Sequence, residues 1–350
     1  MKPFLQIGRR RIGPGQPCFI IAEAGVNHNG HLGRARQLIR VAAEAGADAV
    51  KFQSFKAERV AHQEAPKAPY QLRHTARTES QLEMLKRLEL SPRAHQELKK
   101  CCRTYGILFL STPFDEESAD LLDGLGVPLF KIPSGEITNW LLIEHIARKG
   151  KPILLSTGMS YLQEVKEAVR EIRRVNRRGI VALHCTSVYP AAPQDVHLRA
   201  MITMAQTLKL PVGYSDHTPG IEVSLAAVAL GACVIEKHFT LSKNLPGPDH
   251  KASLEPHELK ALIRGIRTVE ASLGKTVKEP VKAEWENRRI ARRSLAAAQT
   301  IAAGVRLDRS LLTALRPASG IAPTLLEKVI GRTTARTLAA RHIVTWKDLR

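Results

Sequence analysis
Eight short apolar runs recur through the first 240 residues, and each ends in polar residues of kinds that carry chemistry. They read CFIIAEAG (Cys18–Gly25), AVKFQ (Ala49–Gln53), ILFLSTP (Ile107–Pro113), LFKIPSGE (Leu129–Glu136), PILLSTG (Pro152–Gly158), IVALHCT (Ile180–Thr186), VGYSDHT (Val212–Thr218) and CVIEKHFT (Cys233–Thr240). A continuous apolar run of this length suits a strand buried on both faces of a parallel sheet. Between the runs lie amphipathic stretches that predict helices: Gly33–Gly46, Ser91–Tyr105, Asp115–Gly124, Trp140–Lys149, Leu162–Arg174 and Ile221–Gly231. Strand alternating with helix means right-handed βαβ units. Eight such units predict a closed (β/α)8 TIM barrel, with its functional residues on the rim at the strands' C-terminal ends.

The connection after Phe55 is longer than a simple crossover, and KAERVAHQEAPKAPYQLRHT reads as an extended loop on that rim. The barrel pattern stops at Gly274, after a helix Pro256–Leu273. Residues 275–292 are charged and predict a helical linker, and 293–350 predict a second, compact domain. A domain of about 60 residues buries little core and tends to need a partner surface.

Charge changes the picture only partly. The net charge is +20, of which +9 comes from the 15 Lys/Arg and 6 Asp/Glu of residues 276–350. No aromatic-interleaved basic stripe accompanies it, so a solvated basic surface is favoured over nucleic-acid or polyanion binding. The five cysteines show no paired spacing, which points to a reducing cytoplasm rather than a disulfide framework. The N-terminal MKPFLQIGRRRIGPG lacks a signal-peptide core, and Leu225–Ile235 is too short to span a bilayer.

His217 and His238 follow the seventh and eighth runs, where two imidazoles on neighbouring strand ends can share one divalent metal. Asp216, Glu236 and Glu136 stand at the same rim. Lys51 and Lys131, with Ser134, Ser156 and Ser215, make a phosphate and carboxylate clamp. Glu23 and Glu136 are candidate acids or bases. GVNHNG (Gly25–Gly30) is a polar loop whose spacing fails the dinucleotide fingerprint.

The runs IIAEAGVNHNG, GADAVKFQ, STPFD, FKIPSGEI, LSTGM, HCTSVYP, GYSDHTPG, AAVALGACVIEKHFTL and PGPDHKASLEP, in this order, resemble the N-acetylneuraminate (sialic acid) synthase family. RRSLAAAQTIAAGVRLDRSLLTALRPASGI resembles that family's C-terminal antifreeze-like (SAF) domain. The resemblance implies condensation of phosphoenolpyruvate with N-acetylmannosamine, or a related 2-acetamido sugar, to a nonulosonic acid and phosphate by C–O cleavage. It implies that His217 and His238 hold Mn²⁺ or Mg²⁺. Lys51, Thr112, Lys131, Ser134, Ser156 and Ser215 would hold phosphoenolpyruvate. Gln53, Tyr189 and Asp249 would face the sugar, joined by Arg316 from the partner subunit of a domain-swapped homodimer. Glu23 and Glu136 would manage protons and water. Ser187 and His197 stand where asparagine is usual, and Ser187 can still reach phosphate as a shorter donor. A legionaminate or other nonulosonate synthase is the alternative within the family. A polyanion binder is the alternative from another class.

Overall fold
The computed structural model describes residues 4–8, 10–75 and 78–350; of the N-terminal stretch read for a leader, residues 1–3 and 9 lie outside these. The chain divides into two units, Met1–Gly274 and Lys275–Arg350. In the first, eight parallel strands alternate with helices: β1 Phe19–Gly25, β2 Ala49–Ser54, β3 Leu108–Pro113, β4 Phe130–Ile132, β5 Ile153–Ser156, β6 Ile180–Cys185, β7 Val212–Asp216 and β8 Val234–His238. The ladder order is β3-β2-β1-β8-β7-β6-β5-β4, and β3 and β4 lie side by side at the seam. The result is a nearly closed (β/α)8 barrel.

Strand periodicity of two explains how such apolar strands carry a polar site. Ile20, Ala22, Val50, Phe52, Phe130 and Ile132 point outward and pack beneath the helices. Phe19, Ile21, Ala49, Leu110, Leu154 and Val181 point inward. A hairpin of Leu5–Ile7 with Arg10–Ile12 adds Leu5, Ile7 and Ile12 to that inner cluster. Two residues further along each strand, the inward series turns polar: Ile21 leads to Glu23, Ala49 to Lys51, Leu110 to Thr112, Leu154 to Ser156 and Val234 to Glu236. The barrel is therefore apolar at one end and charged at the other. Position 213 of β7 is glycine where a Cβ would fall 2.6 Å from the Val234 carbonyl oxygen and 2.7 Å from Leu183 Cδ2, too close for any side chain without a shift of its neighbours.

The stretch after β2 is more structured than the sequence pattern predicts. It folds into three short helices, Ala57–Val60, Pro69–His74 and Gln81–Leu88. Proline starts the second, and the third has a capping box, with Glu83 N–H donating to Ser80 Oγ at 3.1 Å and Ser80 N–H to Glu83 Oε2 at 2.8 Å. Both ends of the stretch are tied down: Lys56 N–H donates to Asp115 Oδ2 at 2.9 Å, and Ala57 N–H to Glu89 Oε1 at 2.7 Å. Met84 and Leu88 pack on Val26 and Phe55, fixing the stretch to the rim.

In the second unit, the charged stretch is helical only over Glu284–Ala291. Beyond it, Ser294–Ala297 pairs antiparallel with Leu312–Leu315, and Leu295, Ile301, Leu307, Ile321, Leu338 and Val344 form a small separate core. Most of this unit is short bridges and 3₁₀ turns, which leave little periodicity to read from sequence.

Candidate active site
The polar ends of the strands meet in one cavity of about 380 Å³, lined among others by Glu23, Lys51, Gln53, Thr112, Lys131, Ser134, Ser156, Ser187, Tyr189, Ser215, His217, His238 and Asp249. Two of the rim carboxylates, Glu136 and Asp216, are not on its wall. Glu136 lies past the end of β4 in a 3₁₀ turn, where its Oε2 accepts from Asn139 Nδ2 at 2.7 Å. Arg316 belongs to the second unit, where it borders a depression with Arg293 and Arg341. Asp216, grouped with the metal candidates by its rim position, is turned outward. It binds Lys237 at 2.8 Å and accepts from the Thr218 and Ser224 hydroxyls at 2.7 and 2.6 Å, so its carboxylate is fully used in packing β7 against its helix.

Glu236, placed by the sequence at the rim with the two histidines, stands at the centre of the lysine pair. Its Oε1 accepts from Lys131 Nζ at 3.2 Å and Ser215 Oγ at 2.9 Å, and its Oε2 stands 3.6 Å from Lys51 Nζ. Lys51 in turn reaches Glu23 Oε2 at 2.7 Å and Thr112 Oγ1 at 2.7 Å. Parallel register produces this: Glu23 stands beside Lys51, and Glu236 beside Ser215. Burial pushes Glu236 upward, but Lys131, Lys51 and the Ser215 hydrogen bond outweigh it and hold the carboxyl well below its usual range. Burial likewise pushes Glu23 up, and here it prevails over Lys51. The floor thus holds two ammonium groups, one firm carboxylate and one carboxylate of raised basicity.

Hydroxyls surround this floor. Gly158 N–H donates to Ser134 Oγ at 2.9 Å, and Cys185 Sγ lies 3.7 Å from Ser187 Oγ. Ser156 Oγ is buried without a hydrogen-bond partner among the described residues, an unused donor on the cavity wall. The cradle closes so tightly that a Cβ on Gly158 would sit 2.2 Å from Ser187 Oγ and 2.9 Å from Ser134 Oγ.

His217 and His238 face each other beside the floor, ring centroids 5.5 Å apart. His217 Nδ1 donates to the Thr186 carbonyl at 2.8 Å. Burial favours the neutral ring, but Cys185 and this carbonyl outweigh it and raise the pKa, so Nε2 ligates a metal only by giving up its proton. His238 Nδ1 is buried with no hydrogen-bond partner, 3.9 Å from Asp249 Oδ2. Burial, reinforced by His217, holds His238 far below its ordinary pKa and so in the neutral form that ligates metals. The pair fits a divalent cation with open positions; among the described residues no cluster of three His, Cys, Asp or Glu side chains forms a closed protein site.

The remaining wall is aromatic and polar. Tyr189 stacks on His217 at 4.1 Å and meets His238 edge-on at 5.7 Å. Burial raises Asp249 to about 6, against the pull of His217. Tyr70 and Gln71, from the helices after β2, also line the cavity. Sequence reading had placed their segment on this rim without naming them.

Comparison with known proteins agrees with this geometry. Residues 38–278 match the NeuB family and residues 292–350 match the SAF domain. The chain is 53% identical over 327 residues to an N,N'-diacetyllegionaminic acid synthase of Campylobacter jejuni, covering 93% of this chain and 98% of that one. It is 47% identical to the enzyme of the same name from Legionella pneumophila, covering 96% of each chain. The crystal structure of an N-acetylneuraminic acid synthetase from Leptospira borgpetersenii superposes with a TM-score of 0.73 at 36% identity, covering 82% of this chain and 95% of that one. With an eight-stranded barrel, a charged rim cavity and a SAF domain in these positions, the chain belongs to the NeuB family.

Proposed function
We propose that the protein condenses phosphoenolpyruvate with an acetamido aldose and water, giving a nonulosonic acid and phosphate. The carrying observation is one cavity in which two buried lysines and a cradle of hydroxyls adjoin a pair of imidazoles. Lys51 and Lys131, with Thr112, Ser134, Ser156, Ser187 and Ser215, receive the carboxylate and phosphate of phosphoenolpyruvate. Held there, its C3 carbon faces the sugar aldehyde beside His217 and His238, and the new C–C bond forms between them. Glu23 accepts a proton from the water that adds at C2, and Lys51 steadies its charge. The C2–O bond then breaks, and phosphate leaves with the bridging oxygen. A divalent cation, Mn²⁺ or Mg²⁺, held by His217 and His238 would polarise the aldehyde oxygen. Glu136, just past Ser134 and Gly135 of the cavity wall and bound to Asn139, is the second carboxylate near the reacting carbons.

Gln53, Tyr189 and Asp249 meet the sugar. Identities of 53% and 47% to two N,N'-diacetyllegionaminic acid synthases support an aldose carrying two acetamido groups over N-acetylmannosamine. A second copy of the chain completes the site. Trp140, Leu141, Met159, Tyr161 and Val188, exposed after the neighbouring strands β4, β5 and β6, offer an apolar rim for its C-terminal unit and for Arg316. Among the described residues no helix is long and apolar enough to cross a membrane, and all five cysteines are free, which suits cytoplasmic synthesis. The test is phosphate release from phosphoenolpyruvate against both sugars, with products weighed by mass spectrometry. Turnover that chelator stops and Mn²⁺ restores is expected, and no phosphate release with any acetamido aldose would overturn the reading.

A further inference from the structure
We propose that Tyr70 and Gln71 form a specificity subsite for an acetamido group remote from the reacting aldehyde, binding its carbonyl oxygen while neighbouring apolar side chains hold its methyl. The reading rests on the acetamido aldose proposed above and names what selects it. Three rings make a continuous wall: His217 to Tyr189 at 4.1 Å, then Tyr189 to Tyr70 at 4.9 Å. A sugar whose aldehyde lies beside the histidines extends its far carbons along this wall toward Tyr70. The charged floor is occupied in holding carboxylate and phosphate, so the distal end meets the helices after β2.

The carboxamide of Gln71 is oriented by its partner. Ala68 N–H can only donate, and it donates to Gln71 Oε1 at 2.9 Å. Gln71 Nε2 therefore faces the other way and donates to the Tyr70 hydroxyl at 3.4 Å. That hydroxyl, already accepting, keeps its own proton for another acceptor, and the second Nε2 proton has no partner among the described residues. Two donors thus stand together on the wall of a cavity that Val60, Met84 and Leu88 also line. An acetamido group is the substituent that uses both features, since it brings an acceptor oxygen and a methyl group. A plain hydroxyl at the same carbon brings no methyl. The ties from Lys56 to Asp115 and from Ala57 to Glu89 hold the stretch that carries the subsite.

The experiment compares kcat/KM for an aldose with two acetamido groups against kcat/KM for N-acetylmannosamine. Tyr70→Phe keeps the ring on Tyr189 and removes only the hydroxyl. Gln71→Glu keeps the acceptor for Ala68 N–H and removes the donor. The selectivity ratio should fall about 10-fold in each, because a site built to donate to a substrate group loses its discrimination when the donor goes. A ratio within about twofold of wild type in both variants would overturn the subsite. A wild-type enzyme that turns over neither sugar would instead overturn the proposed function, so the two failures read differently.

Discussion

Lys131→Met is the most informative single change, because it removes one charge from the floor while nearly preserving side-chain volume. Lys131 is buried, and its ammonium lies 3.2 Å from Glu236 Oε1. Removing one partner of a buried pair costs about 3–5 kcal/mol. Here Ser215 at 2.9 Å and Lys51 at 3.6 Å remain on the same carboxylate, so the loss should fall nearer 2–3 kcal/mol, or about 4–8 °C in melting temperature. The loss in catalysis is separate. A hydrogen bond to a charged group is worth about 1.5–3 kcal/mol, which predicts a fall of roughly 10- to 150-fold in kcat/KM for phosphoenolpyruvate. The double variant Lys131→Met, Glu236→Gln distinguishes the two effects. It removes both charges, and Lys51 keeps Glu23 at 2.7 Å, so stability should recover while activity stays low. Thermal melts and steady-state phosphate release read the two quantities. A single variant with wild-type KM for phosphoenolpyruvate, or a double variant with restored turnover, would refute the assignment of Lys131 to substrate.

Two further expectations concern the cradle and the second unit. Gly158→Ala places a methyl 2.2 Å from Ser187 Oγ and 2.9 Å from Ser134 Oγ, so it should raise KM for phosphoenolpyruvate at least about tenfold without lowering the melting temperature by more than a few degrees. Steady-state kinetics with a parallel melt decides this, and an unchanged KM would remove Ser134 and Ser187 from the phosphate site. In the C-terminal unit, burial raises Asp348, but the Thr345 amide and hydroxyl, Arg336 and His342 outweigh it and hold the carboxyl at about 2. A depressed folded pKa gives stability that is present above the unfolded value near 3.8 and is lost as pH falls toward 2. Asp348→Asn should therefore cost about 2 kcal/mol at pH 6, read by hydrogen exchange of this unit's amides, and progressively less below pH 4. A difference independent of pH would refute it.

Much of the site is legible because a barrel strand carries its own address. A polar residue two positions past an inward apolar one must face the interior near the rim, which places Lys51 after Ala49 and Thr112 after Leu110. Legibility stops where adjacent residues compete for the same face. In VIEKH, Glu236 and Lys237 are equally polar, and only the register with β7 turns Glu236 inward and sends Lys237 to Asp216. Asp216 looked like a metal candidate for the same reason, lying one residue from His217 and therefore on the opposite face. The position of Glu136 is harder to read. β4 ends at Ile132, so the alternation that would place Glu136 has already stopped. The helices after β2 escaped because each is a turn or two long, set by proline and a Ser80 cap rather than by a long apolar stripe. Their contribution to the cavity, Tyr70 and Gln71, was hidden with them.

The central claim is that phosphoenolpyruvate loses phosphate by carbon–oxygen cleavage. The floor offers Glu23 to guide water onto C2, and two lysines to hold the phosphate. Phosphoenolpyruvate carrying ¹⁸O at its bridging position, turned over with an acetamido aldose and followed by mass spectrometry of both products, tests this directly. The account predicts the label in the released phosphate. Label retained in the 2-keto sugar acid would mean phosphorus–oxygen cleavage and would contradict the roles given to Glu23, Lys51 and Lys131.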